Sequence, residues 1–130
     1  MESLEDLTGA IVDTAVRLHT RLGPGLLERV YEVVLWRALQ RRGFTVERQV
    51  LVSFEFDGIH FKNGLRVDLL VDKRVVVELK SAESISRVHM KQVLTYLKLM
   101  DLRVGLVLNF GAPTMKEGIR RVVNGYVAPP

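Results

Sequence analysis

The sequence predicts an α/β sandwich, a mixed sheet with helices packed against it, in the order α, α, β, β, β, α, β with a further helix towards the C-terminus. Three observations predict it. Apolar residues recur at helical spacing in two N-terminal segments and again after residue 85. Three short segments rich in Val, Leu and Phe follow one another between residues 45 and 80. A near-continuous apolar run, Val104-Gly105-Leu106-Val107-Leu108-Asn109-Phe110, then stands alone behind the third helix, as a strand buried on both faces and paired in parallel would.

The first helix spans about Leu7 to Leu22, with Ile11, Ala15, Leu18 and Leu22 on one stripe, and Gly23-Pro24-Gly25 ends it. The second spans about Leu26 to Arg42, with Leu27, Val30, Tyr31, Val34, Leu35 and Ala38 as its apolar stripe; Gly43 after Arg41-Arg42 is a C-terminal stop. Thr45 to Phe56 alternates and reads as a strand, bounded by Asp57-Gly58, and Asn63-Gly64 reads as a second turn. Leu65 to Val71 and Arg74 to Lys80 are strands joined by a hairpin tip at Asp72-Lys73. The third helix runs from about Ile85 to Met100 and turns Val93, Leu94, Leu97 and Met100 to the sheet. Thr114 to Val123 reads as a short final helix. The sheet so predicted has four strands. Residues 1–6 and 126–130 are expected to be frayed.

With 130 residues and no repeat, linker or composition break, the chain is one domain, 1–130, able to bury a core without staples. The absence of cysteine excludes disulfides and thiolate metal sites, and suits a reducing cytoplasm. His19, His60 and His89 have no zinc-ligand spacing. A net charge of +4 leans mildly towards polyanions. The apolar fraction of 48% is high for so short a chain and suggests surface covered by a second subunit, a homodimer. No apolar run approaches the roughly 18 residues of a membrane span. The acidic start, Glu2-Ser3-Leu4-Glu5-Asp6, lacks the positive region of a signal peptide. The expected location is cytoplasmic, with no membrane partner.

The segment that carries chemistry is Arg66-Val67-Asp68-Leu69-Leu70-Val71 followed by Val75-Val76-Val77-Glu78-Leu79-Lys80. Strand alternation puts Glu78 and Lys80 on one face. If Asp72-Lys73 is the turn, Asp68 falls roughly opposite Glu78. Two carboxylates and an ammonium then converge in apolar surroundings, where charges are costly unless paired or bound to a cation. A hard cation such as Mg²⁺ takes carboxylate and carbonyl oxygens and keeps several waters, so Asp68, Glu78 and the Leu79 carbonyl suit it. Lys80 is then placed to hold and help deprotonate water for attack on a phosphodiester. The same three side chains also suit a structural salt-bridge cluster.

These blocks resemble the GxxExxY proteins of the PD-(D/E)XK nuclease superfamily. The naming motif stands as Gly25-Leu26-Leu27-Glu28-Arg29-Val30-Tyr31. A helix motif stands as Gln92-Val93-Leu94-Thr95-Tyr96-Leu97, and a closing block as Gly105 to Gly111. The resemblance covers about Leu7 to Val123 and departs from the superfamily name at Val67, where that name has proline. It implies a restriction-endonuclease-like α-β-β-β-α-β core, a nuclease activity on DNA more than RNA, and Mg²⁺ or Mn²⁺ as cofactor. It also implies Asp68, Glu78 and Lys80 as the acid, acid and lysine of the site. It places Glu28 near the metal and Gln92 at the site's border. Tyr31, Tyr96 and His89 are supporting candidates, and Arg29, Arg66, Arg87 and Lys91 are candidates for phosphate contact. Further basic groups stand at Arg37, Arg41, Arg42 and Arg48, and at Arg120-Arg121. No helix-turn-helix, zinc finger or stacking platform is legible, so no strong base readout is expected. The alternative is a non-catalytic module that keeps the scaffold and binds nucleic acid or a protein partner.

Overall fold

A side-chain cap decides where the first helix begins. Ser3 accepts from the N–H of Asp6 at 3.0 Å, which caps the first helix three residues earlier than its apolar period suggests. The computed structural model describes residues 2–125. Its elements are α1 (Leu4–Leu22), α2 (Glu28–Arg41), β1 (Val46–Phe56), β2 (Ile59–Val71), β3 (Val75–Lys80), α3 (Arg87–Met100), β4 (Val104–Asn109), α4 (Met115–Gly118) and β5 (Ile119–Val123). Residues 126–130, expected to fray, lie outside the described residues.

The five strands lie in the order β1-β2-β3-β4-β5, antiparallel except for β3 and β4, which are parallel and joined through α3. All six residues of β4 are buried, as its unbroken apolar run requires. Helices α1 and α2 cover one face of the sheet over Leu69, Val77, Leu106 and Leu108. Helix α3 covers the other over Val67, Val76 and Val107. Its Val93 and Leu97 are fully buried, each contributing about 1.5–3 kcal/mol by leaving water. Gly105 permits that docking: a Cβ there would stand 2.6 Å from Val93 Cγ1.

The structure corrects three expectations. The sheet has five strands, because Ile119-Arg120-Arg121-Val122-Val123, read as helix, pairs antiparallel with β4 from Val104↔Val123 to Leu108↔Ile119. Only one helical turn, α4, capped by Thr114, precedes it. Pairing with a buried strand overrides local propensity there. Asn63-Gly64 is not a turn but lies within β2. Asn63 has φ 53, the pairing register shifts opposite it, and Phe54 occupies the space that a Cβ on Gly64 would fill. The buried face of α2 is Tyr31, Glu32, Leu35 and Leu39, whereas Leu27 is 73% exposed and Val30 is exposed.

The sheet's faces invert part-way along β1 and β2. Val46 and Val50 share strand parity yet join different cores, Val46 under α1 and α2 and Val50 beside α3. Gln49 between them has φ 51 and turns its amide to Glu32 Oε1 on α2. Strand β2 inverts in step: Leu69 and Val71 belong to the first core, Leu65 and Val67 to the second. Asp68 sits at that inversion. Arg48, beside Gln49, donates twice to Glu32 Oε2, at 3.3 and 3.1 Å, and lies 5.3 Å over the Trp36 ring, so this twist is anchored on α2.

Candidate active site

The β2–β3 ladder runs Val71↔Val75, Leu70↔Val76, Leu69↔Val77 and stops. The next facing pair is Asp68 and Glu78, and there side-chain oxygens continue what main-chain oxygens began. The Asp68 N–H donates to Glu78 Oε1 at 3.1 Å, and the Leu79 N–H donates to Asp68 Oδ2 at 2.9 Å. The carboxylates are thereby held by main chain of the opposite strand, a more rigid support than a side-chain partner. Glu78 is only 7% exposed. Burial, and then the charge of Asp68, push its carboxyl up to about 8, against the pull of the Asp68 N–H and the Lys80 ammonium. Lys80, two residues along β3, shares its face and is half-buried.

Helix α3 brings two further polar groups. The Gln92 amide donates to the Tyr96 hydroxyl at 2.9 Å across one turn. The Tyr96 phenol is pushed above its ordinary value by burial and then by the charge of Glu78; the Gln92 bond opposes this, Asp68 adds to it, and Arg66 opposes it. Tyr96 thus lies within electrostatic reach of Glu78, Asp68 and Arg66, with Gln92 bonded to its hydroxyl. His89 faces the helix start instead, where its Nδ1 accepts from the Ser86 N–H at 3.3 Å. Arg87 and Lys91 line a separate depression of about 370 Å³ between α3 and β5.

The loop before α2 meets the end of β3. Ser81 donates to the Leu26 carbonyl at 2.7 Å. The Tyr31 hydroxyl donates to the Gly23 carbonyl at 2.6 Å and accepts from the Leu26 N–H at 3.1 Å, while its ring stacks on Phe110 at 4.4 Å. Tyr31 therefore shapes the Gly23–Leu26 loop from within the core. Glu28 and Arg29 are exposed in the first turn of α2, and Glu28 lines a cleft of about 540 Å³ with Ser81, Glu83 and Gly111. Among the described residues no three His, Asp or Glu side chains gather as a metal site, so Glu28 does not form a third carboxylate beside Asp68 and Glu78.

Asn109, which spacing along the sequence did not single out, locks this end of the sheet. Its Oδ1 accepts from the N–H groups of Ala82 and Gly111, each at 3.0 Å, and its Nδ2 donates to the Ala82 carbonyl at 2.9 Å. It is 1% exposed. The signal was present: Asn109 is the one polar side chain in the apolar run of β4. The backbones it joins are so close that a Cβ on Gly111 would stand 2.3 Å from the Ala82 carbonyl oxygen.

Two carboxylates with a neighbouring carbonyl suit Mg²⁺ or Mn²⁺, which are commonly bound by one or two carboxylates together with water and substrate phosphate. Burial and then repulsion by Asp68 raise Glu78, and a cation beside the two carboxylates would oppose both. A family model described as the PD-(D/E)XK nuclease superfamily matches residues 5–122. No curated protein matches the chain. The mixed sheet flanked by helices is consistent with a restriction-endonuclease-like fold. Among the described residues, no helix is long and apolar enough to cross a membrane.

Proposed function

The chain belongs to the PD-(D/E)XK nuclease superfamily, and on that premise we propose that it is a divalent-metal-dependent nuclease that hydrolyses phosphodiester bonds in DNA. The observation that carries this reading is the crossed support of Asp68 and Glu78 at the end of a ladder, with Lys80 on the same face as Glu78. We also place the chain in the GxxExxY group, on Gly25 to Tyr31. Superfamily membership supports nucleic acid as the substrate; DNA is our narrower reading.

Asp68, Glu78 and the Leu79 carbonyl would hold Mg²⁺ or Mn²⁺, which would supply Lewis-acid polarisation of the scissile phosphate and neutralisation of the charge gained there. Lys80, as an ammonium, orients the attacking water and favours loss of its proton to solvent as the water oxygen bonds to phosphorus; the P–O bond to the leaving oxygen breaks, and that oxygen takes a proton from solvent. Tyr96 and Gln92 position phosphate or water from α3, and Arg66 offers a cation to the backbone of the strand. Glu28 supports from the neighbouring cleft.

The test is cleavage of single-stranded, duplex, flapped and branched DNA, with RNA alongside, in Mn²⁺ and in Mg²⁺. Cleavage of DNA that disappears with EDTA and falls by about 10²–10⁴-fold with Lys80→Ala supports the reading. Failure of the purified protein to cut any nucleic acid in Mn²⁺ overturns it, as does cleavage undiminished by Lys80→Ala.

A further inference from the structure

Two surfaces remote from the carboxylates have no role in the chemistry above, and they match each other. The first is a groove of about 580 Å³ along the outer sides of α1 and α2. Leu18, Val33, Val34 and Ala38 contribute its apolar lining. Arg17, Arg21, Arg37, Arg41 and Arg42 ring it. One carboxylate, Asp13, answers them, pairing with Arg17 at 3.1 Å and Arg42 at 3.0 Å. Among the described residues no ion pair engages Arg21, Arg37 or Arg41. The groove is therefore apolar within and strongly cationic at its rim.

The second surface is the tip of the β1–β2 hairpin. Asp57 and Gly58 form a two-residue turn with φ 53 and 76, closed by the pair Phe56↔Ile59. Phe56 is 68% exposed and Ile59 56% exposed. The next pair on the same face, Phe54 and Phe61, stacks at 5.2 Å, and Phe54 packs on the core under α3. The tip is thus held rigid while its last two apolar side chains project into water. Two carboxylates accompany them, Asp57 in the turn and Glu55, whose one ionic contact in the described structure is His60 at 3.9 Å.

We propose that the hairpin tip of one copy of this chain seats in the α1–α2 groove of a second copy. Phe56 and Ile59 fill the apolar floor, and Glu55 and Asp57 meet Arg21, Arg37 and Arg41 at the rim. Each surface carries what the other lacks: exposed apolar side chains against an open apolar groove, and acids against unanswered arginines. A nucleic-acid backbone would satisfy the arginines but leave the apolar floor without a partner, which is why a protein segment fits better. The tip enters pre-ordered by its turn and by the Phe54–Phe61 stack, so little ordering is required on binding. Reciprocal exchange, tip into groove in both directions, gives a two-fold dimer with no open end. The association does not depend on the metal site.

Sedimentation equilibrium on the full chain, over a range of protein concentrations, tests this. A monomer–dimer equilibrium is expected in the natural chain. Phe56→Ser should weaken it roughly tenfold or more, as loss of an interface aromatic anchor does. The groove reversal Arg37→Glu with Arg41→Glu should abolish the dimer, and so should the tip reversal Glu55→Lys with Asp57→Lys. Combining all four substitutions restores opposite charges and should restore the dimer. All of these side chains are exposed and all but Phe56 are charged, and far-UV circular dichroism checks that each variant is folded. A natural chain that stays monomeric throughout overturns the proposal. So does a dimer indifferent to either charge reversal, or a fourfold variant that remains monomeric.

Discussion

Asp68 and Glu78 face each other one step beyond the last ladder pair of β2 and β3. The Asp68 N–H donates to Glu78 Oε1, while Asp68 Oδ2 takes the N–H of Leu79, the residue after Glu78. Each carboxylate is fixed by the other's strand. The like charges this brings together in a buried setting are tolerable as a resting arrangement because Glu78 can hold a proton, and a divalent cation can take that proton's place.

Asp68→Asn keeps an oxygen to accept from Leu79 but removes one of the two charges. Mn²⁺ should stabilise the natural chain by about 2.7 kcal/mol when present at a hundred times its dissociation constant, and Asp68→Asn should lose that gain while melting no lower than the natural chain in EDTA. Differential scanning calorimetry with and without Mn²⁺ measures both. An undiminished Mn²⁺ effect in the variant excludes Asp68 as a ligand.

Glu78 sets a pH dependence whose sign is opposite to that of most carboxylates. Its folded-state value, about 8, lies above the ordinary 4.5, so the folded chain binds the extra proton between those limits. Its contribution to stability is complete below about pH 4.5 and is lost as pH rises through about 8. Urea titrations in EDTA from pH 5 to 9 should show Glu78→Gln flattening this fall. Metal affinity should move the other way and tighten with rising pH, because the cation competes with the proton.

Lys80→Ala should separate chemistry from binding. Cleavage falls by about 10²–10⁴-fold, the range ascribed to a positioned proton-transfer group, while stabilisation by Mn²⁺ persists because both carboxylates remain. Single-turnover cleavage and the calorimetric shift are measured on the same preparation. A lost Mn²⁺ shift would make Lys80 a support for the metal site instead.

Tyr96→Phe leaves the ring in the α3 core and removes the hydroxyl that Gln92 contacts at 2.9 Å. Stability should change by no more than about 0.5–1.5 kcal/mol. If the hydroxyl positions phosphate, KM for DNA should rise with little change in kcat. Unaltered kinetics would confine Tyr96 to packing.

Asn109→Asp is isosteric but replaces the amide donor facing the Ala82 carbonyl with a carboxyl oxygen. A buried carbonyl left facing an acceptor should cost about 1–3 kcal/mol, and the loop that follows Lys80 should lose its hold. Urea unfolding reads the cost, and hydrogen exchange at Ala82 and Gly111 reads the loosening. Natural protection at both amides would assign the clamp elsewhere.

Features that repeat locally are legible in the chain alone. The periods of α1 and α3, the unbroken apolar run of β4, the two-residue turn at Asp57-Gly58, the hairpin tip at Asp72-Lys73, and the facing of Asp68 with Glu78 to within a residue all follow from spacing along one stretch of chain; Arg74, as a third loop residue, sets the final register. Features that depend on a distant partner emerge only when the elements pack. Strand β5 exists because β4 offers it an edge; the faces of β1 and β2 invert because Gln49 reaches Glu32; and Asn109 is a clamp because Ala82 and Gly111 come to it. Glu28 shares the naming motif with Tyr31, yet it opens onto a neighbouring cleft while Tyr31 is buried against Phe110. Spacing assigns a residue to a face of its own helix or strand. What that face meets is set by the packing of elements far apart in sequence, which local periodicity does not encode.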